Sequence, residues 1–307
     1  MKYDFSGFQV RIPVKVAGIF AGLSLMAVTA CGGAETGTRQ AGAESTDKTE
    51  IVASVYPLAW LAERVGGPGA EVTTLTKPGT EPHDLELTPR QAVEMGKADL
   101  TFYIRGIQPA VDEAVTDHAK DASFDALTAV TPLTVDGVVD PHLWLDPSRL
   151  ATVATQLGER LAARDPGHAA GYRERATATA AALTTLDAEF KQGLATCSGR
   201  TLVTSHTAFA YLTDRYGLRQ VGVSGVDPDS EPNPGRIAEV AEIVKREKVS
   251  TIFFETLASP KVAEVVAAET GAKTAVIDPL EGPPAQGDYL TAMRANLTAI
   301  KTGLGCS

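Results

Sequence analysis

Gly79-Thr80-Glu81-Pro82-His83-Asp84-Leu85-Glu86-Leu87-Thr88-Pro89 is the stretch on which the reading of the chain turns. It follows a strand-like run, Val72 to Leu75, and precedes a helix whose start is marked three ways. Thr88 is a capping residue, Pro89 suits the first helical position because its missing N–H would be unpaired there anyway, and Gln91 completes a capping box. The unit reads strand, loop, helix, with one histidine in the loop. In a parallel α/β sheet, loops at the carboxyl ends of strands line the crevice where ligands bind.

Working outward, His142 in Asp140-Pro141-His142-Leu143-Trp144-Leu145-Asp146-Pro147 and His206 in Val203-Thr204-Ser205-His206 occupy comparable places. Asp278 in Val276-Ile277-Asp278-Pro279 adds a carboxylate at another strand end. The chain has only five histidines, so three in such loops is a large share of the supply. Three imidazoles and a carboxylate converging from strand ends describe a metal site, with His83, His142, His206 and Asp278 as expected ligands. His118 and His168 stand in polar contexts and read as surface residues.

Strand and helix alternate from Ile51 onward, which argues for parallel sheets. In the first half, strands are expected at Ile51–Val55, Val72–Leu75, Leu100–Ile104 and, weakly, Leu133–Val135. Helices are expected at Pro57–Val65, Pro89–Lys97 and Pro109–Ala119. In the second half, strands are expected at Thr201–Thr204, Gln220–Val223, Val249–Phe254 and Lys273–Ile277. The helices there are Phe209–Tyr216, Pro234–Glu247 capped by Asn233, Pro260–Thr270 capped by Ser259, and Tyr289–Thr302. Between the halves, one helix over Arg149–Ala163 breaks at Asp165-Pro166-Gly167. A second, free of Pro and Gly from Tyr172 to Gln192, carries Tyr172, Ala176, Ala180, Leu183, Leu186 and Phe190 at helical spacing. It reads as a rigid spine. The expected organisation is an N-terminal α/β domain (51–147), a helical segment (148–196) and a C-terminal α/β domain (197–307).

The first 50 residues read differently. Lys2, Arg11 and Lys15 precede an apolar run, Val16 to Ala30, that is short for a membrane span but suits a signal peptide. Val28-Thr29-Ala30-Cys31 resembles a bacterial lipobox, so residues 1–30 are expected to be removed and Cys31 to carry lipid. Residues 31–50 read as a flexible tether, with a coil reach of about 25 Å. The 307-residue chain has 28 Lys and Arg against 38 Asp and Glu, a net charge of −10. Such an acidic protein is a poor partner for nucleic acid or anionic lipid, while its field draws cations. Cys197 and Cys306 remain as an even pair in an oxidising compartment, open to a disulfide or to two separate thiols.

These pieces, with Ser205-His206-Thr207-Ala208-Phe209, Ser230-Glu231-Pro232-Asn233-Pro234, Ile252-Phe253-Phe254-Glu255 and Asp278-Pro279-Leu280, resemble the metal-binding lipoproteins that serve ABC importers for zinc and manganese, the ZnuA, AdcA and TroA group. The resemblance runs from Ile51 to the C-terminus. It implies two α/β domains joined by one long helix, with the metal in the cleft between them. It implies a carrier rather than an enzyme, one that takes an ion outside the membrane and hands it to an ABC permease. His83 and His142 would come from the first domain, His206 and Asp278 from the second. The chain departs from zinc members with a long His- and acid-rich loop, since residues 105–139 hold only His118.

Three imidazoles suit Zn²⁺ better than Mn²⁺, which prefers oxygen-rich octahedral sites. Glu255, at another strand end, is placed as a partner for an imidazole N–H. Trp144 reads as a packed aromatic beneath the site. The expected protein is a monomer held at the outer face of the cell membrane by its lipid alone. Its rivals are an Mn²⁺ carrier of the same class, a zinc metallohydrolase with Glu255 as base, and a metal-stabilised adhesin.

Overall fold

The computed structural model describes residues 48–226, 232–256 and 259–307, all within one compact unit, Ser45–Ser307. The expected leader, Cys31 and most of the tether lie outside the described residues, as does the Ser230-Glu231 part of one family-like motif. The tether was expected to run to Glu50, but Thr49 and Glu50 already belong to the first strand. Thr49 is buried with its hydroxyl 3.1 Å from Tyr172 Oη, and the Glu50 N–H donates to Asp99 Oδ2 at 2.8 Å.

The first sheet holds β1 (Thr49–Ala53), β2 (Ala70–Thr74), β3 (Leu100–Tyr103) and β4 (Ser123–Asp125) in the order β2-β1-β3-β4, all parallel. Helices α1 (Tyr56–Gly66), α2 (Pro89–Met95) and α3 (Pro109–Ala114) follow its strands. The capping box of α2 is complete: Thr88 accepts from the Gln91 N–H, and the Gln91 side chain accepts from the Thr88 N–H. One expectation fails here. The weak strand at Leu133–Val135 is not part of the parallel sheet; Thr134–Val135 (β5) pairs antiparallel with Val138–Val139 (β6). The turn between them, Asp136-Gly137, has φ of 51° and 85°, the doubly positive geometry that two-residue hairpins favour. The fourth sheet strand is β4, which at three residues is too short to show a period.

The second sheet holds β7 (Thr201–Thr204), β8 (Arg219–Gly222), β9 (Thr251–Phe254) and β10 (Lys273–Val276) in the order β10-β9-β7-β8, again all parallel. With it come α6 (Ala210–Tyr216), α7 (Pro234–Glu247, capped by Asn233), α8 (Lys261–Thr270) and α9 (Tyr289–Leu304). The cap of α8 differs from expectation: Pro260 occupies the capping position, with Ser259 one residue earlier.

Between the sheets run α4 (Pro147–Arg164) and α5 (Ala169–Gly193), packed along each other. They approach closely at Gly158, where a Cβ would stand 2.5 Å from the Ala176 Cβ. At 25 residues α5 is about 37 Å long, and it touches both halves. Near its start Arg175 donates to the Val65 and Gly66 carbonyls at 2.8 and 2.7 Å. Near its end Arg294 of α9 holds Glu189 through two bonds of 2.7 and 2.9 Å. Asp187, nearly buried in α5, accepts both forks of Arg215 from α6 at 2.8 Å and Lys191 at 2.8 Å. Burial pushes this carboxyl up, but the hydrogen bonds from Arg215 and Lys191 outweigh it and hold the group below its usual range.

The apolar interior does not stop between the halves. Leu58 and Trp144 share one buried cluster with Phe190, Phe253 and Tyr289. Trp144 Nε1 donates to the Pro279 carbonyl at 2.7 Å, Tyr289 Oη to the Trp144 carbonyl at 2.5 Å, and Tyr211 Oη to the Asp140 carbonyl at 3.0 Å. Each bond crosses from one half to the other.

Cys197 and Cys306 form a disulfide closing a sequence separation of 109 residues. The backbone beside it is paired as well, with Gly199 N–H donating to the Leu304 carbonyl at 3.0 Å. On the chain-entropy account a loop of that length stabilises the fold by about 5 kcal/mol at most. Cys197→Ser is expected to lower the midpoint of chemical unfolding and to abolish the response to dithiothreitol that the parent protein shows. Equal midpoints for parent and variant would remove the disulfide from the account of stability.

Candidate metal centre

Each member of the site comes from a loop that a strand or helix end positions. His83 follows β2 and stands in the loop ahead of α2. His142 lies just before a helical turn at Leu143–Leu145 that leads into α4, whose cap, Asp146, accepts from the Ser148 N–H at 2.8 Å. His206 is two residues past β7, and Glu281 is in the loop after β10.

The structure brings His83, His142, His206 and Glu281 together, with one donor atom from each lying within 4.8 Å of all the others. Glu281 Oε1 is 3.1 Å from His142 Nε2, 3.5 Å from His83 Nε2 and 3.9 Å from His206 Nε2. The His83 and His142 Nε2 atoms are 3.4 Å apart. The His142, His206 and Glu281 side chains are at most 2% exposed, whereas His83 retains 10%.

Behind two of the imidazoles stand carboxylates. Asp140 Oδ1 is 2.7 Å from His142 Nδ1 and also accepts from the His142 N–H at 2.9 Å. Glu255, expected as a partner for an imidazole, contacts His206 Nδ1 through Oε2, while its Oε1 accepts from Ser205 Oγ at 2.9 Å and from the His206 N–H at 3.3 Å. A carboxylate at Nδ1 keeps the proton there and turns the Nε2 lone pair to the centre of the site. His206 Nε2 is buried with no hydrogen-bond partner. A buried nitrogen with no partner, facing three other ligand atoms, fits a cation-binding site.

The electrostatics fit the same arrangement. Burial alone would push the His142 pKa down, yet the Asp140 and Glu281 carboxylates raise it to about 10. Burial likewise pushes Glu281 up, but its bonds to His142 and His83 outweigh that and hold the carboxyl well below the usual range. His142 is thus flanked by two carboxylates that favour a proton on it, and a bound metal would compete with that proton.

Asp278, the fourth ligand expected from the sequence, is outside this group, and Glu281 stands where it was placed. Asp278 Oδ1 accepts from the Leu280 N–H at 2.8 Å, closing a turn in which Leu280 has φ of 59°. Its carboxylate is spent on shaping the loop that presents Glu281. Glu281 was missed because attention to strand ends stops at the first acid after β10, and a left-handed leucine leaves no mark in the sequence. Asp140 stands within the motif that marks His142, but its contact with Nδ1 is not visible in the sequence. Trp144 packs beneath the site, its ring centroid 5.2 Å from that of His142. His168 pairs with Asp165 at 2.6 Å and His118 is exposed, both outside the cluster.

AdcA of Streptococcus pyogenes serotype M3, a zinc-binding protein, is 32% identical over 289 residues, which is 83% of this chain and 56% of AdcA. The chain thus spans little more than half the length of that relative. The high-affinity zinc uptake system protein ZnuA of Bacillus subtilis is 29% identical, with 94% of this chain and 98% of ZnuA covered. Among solved structures, the laminin binding protein Lmb of Streptococcus agalactiae, described as a bifunctional protein with adhesin and metal transporting activity, superimposes with a TM-score of 0.78 at 31% identity, covering 84% of this chain and 100% of Lmb. Residues 51–303 match the family of periplasmic zinc-uptake complex component A, and the chain belongs to that ZnuA family.

Proposed function

We propose that this protein captures Zn²⁺ outside the membrane and delivers it to an ABC permease, acting as an extracytoplasmic solute-binding lipoprotein. The observation that carries the proposal is the cluster of three imidazoles and one carboxylate with donor atoms within 4.8 Å of one another. Zinc takes four such ligands in a tetrahedron. His83, His142 and His206 through Nε2, with Glu281 through a carboxylate oxygen, supply that number and mixture. Mn²⁺ would find one anionic oxygen among three nitrogens, a poor match to its preference.

Carriage rather than catalysis is supported by where Glu255 stands. A hydrolase would need a base facing the metal, and Glu255 is occupied by Ser205 and by the Nδ1 side of His206. Anchoring rests on Cys31 and the lipobox-like residues before it; among the described residues no helix is long and apolar enough to cross a membrane. In this reading the permease is the protein's partner, and the lipid is its one link to the membrane.

Three outcomes are expected. Calorimetric titration of the metal-stripped protein gives one tight Zn²⁺ site, weaker for Mn²⁺ and lost in His142→Ala; zinc binding indifferent to His142 would sink the assignment.

Glu281→Gln weakens zinc by more than the 10- to 100-fold typical of losing an outer partner. Asp278→Asn, which keeps an acceptor for the Leu280 N–H, stays within a few-fold of the parent. The reverse ranking would restore Asp278 as the ligand.

Zinc must also compete with the proton that the Asp140 and Glu281 carboxylates favour on His142. Binding therefore releases protons, and apparent affinity falls as the solution is acidified from about pH 8 to about pH 6. Titration in buffers of different ionisation enthalpy measures those protons, and a pH-independent affinity would contradict the picture.

A further inference from the structure

Glu281 reaches the three imidazoles from a loop, and a loop places a carboxylate only as firmly as its backbone is held. That backbone is held from α9. Asn296, 3% exposed, turns its amide to Asp278. Its Oδ1 accepts from the Asp278 N–H at 2.9 Å and its Nδ2 donates to the Asp278 carbonyl at 2.6 Å. Both main-chain polar groups of Asp278, two residues past the end of β10, are thereby satisfied by one side chain.

From that fixed point the rest of the loop follows in two steps. The Asp278 carboxylate accepts from the Leu280 N–H at 2.8 Å, holding Leu280 at a φ of 59° that a leucine does not readily adopt. The Pro279 carbonyl accepts from Trp144 Nε1 at 2.7 Å. Glu281 is the next residue, and its Oε1 is 3.1 Å from His142 Nε2. The neighbouring core positions of α9, Ala292, Met293 and Ile300, are apolar. A buried amide among them costs stability unless it is fully bonded, and both of these bonds go to the loop.

We propose that Asn296 is a positioning residue for zinc capture, acting through the Asp278 backbone to set the place of the Glu281 carboxylate. The proposal rests on Glu281 being a ligand. An Asn296 that merely stapled α9 to the loop would affect stability alike whether or not Glu281 could bind metal. An Asn296 that acts through Glu281 loses its effect on affinity once that carboxylate is gone.

The test is a double-mutant cycle on the purified protein, with zinc affinity read by chelator competition and ligand geometry by the visible spectrum of the Co²⁺-loaded form. Asn296→Ala removes both bonds; Asn296→Asp keeps the size and the acceptor, and carries the test alone if the alanine variant does not fold. In the parent background each is expected to weaken zinc about 10-fold or more, and to move the Co²⁺ spectrum towards that of Glu281→Gln. In the Glu281→Gln background the same changes are expected to shift affinity less than about twofold. Loss on Glu281→Gln with none in either Asn296 variant overturns the positioning role and leaves the ligand intact. Equal losses in both backgrounds also overturn it. If Glu281→Gln binds zinc as the parent does, the ligand assignment falls, and this proposal with it.

Discussion

A carboxylate buried among three imidazoles sets the terms for this structure. Taking a charge out of water costs several kcal/mol even after the protein relaxes around it, and here Glu281, Asp140 and Glu255 are all nearly inaccessible. They are tolerable because each faces an imidazole at hydrogen-bonding distance or close to it. His142 lies between Asp140 and Glu281, which favour a compensating proton on it. A dication would compete with that proton for charges already in place.

Holding those charges together demands rigid surroundings, and the fold provides them by not separating its halves. Two parallel sheets of the same construction would each be free to move if only a loop joined them. Instead α5 lies against α1 at one end and against α9 at the other, with Asp187 bridging to α6. Trp144, Tyr211 and Tyr289 each send a hydrogen bond across the divide. Separating the halves widely would expose the interior these aromatics occupy, so the packing opposes large opening.

Much of this was legible in the residues themselves, for reasons that differ by element. The α2 start at Thr88-Pro89-Arg90-Gln91 is a local hydrogen-bond pattern, complete within four residues, and the structure reproduces it. The apolar stripe of α5 is a long period and survives with one exception: Thr179 rather than Ala180 is buried, its hydroxyl returned to the Arg175 carbonyl at 2.8 Å. His83, His142 and His206 stood out because strand-end loops face a common crevice. What was not legible depends on backbone shape or on distant pairing. β4 is three residues whose partner, β3, is some twenty positions earlier. The exchange of Asp278 for Glu281 turns on a single left-handed leucine, and Asn296 meets its loop only because α9 folds back across the strand ends.

The uneven exposure of the four donors gives the site a direction. Glu281, His142 and His206 are sealed against the interior, and His83 alone keeps a share of its surface in solvent. A water molecule, a chelator or a donor group from another protein therefore meets the His83 edge before any other. The loop from Leu75 to Leu87 thus forms the solvent-facing side of the site, and the other three donors form its back wall. Any group that exchanges with a ligand of the ion would reach it first at that one edge.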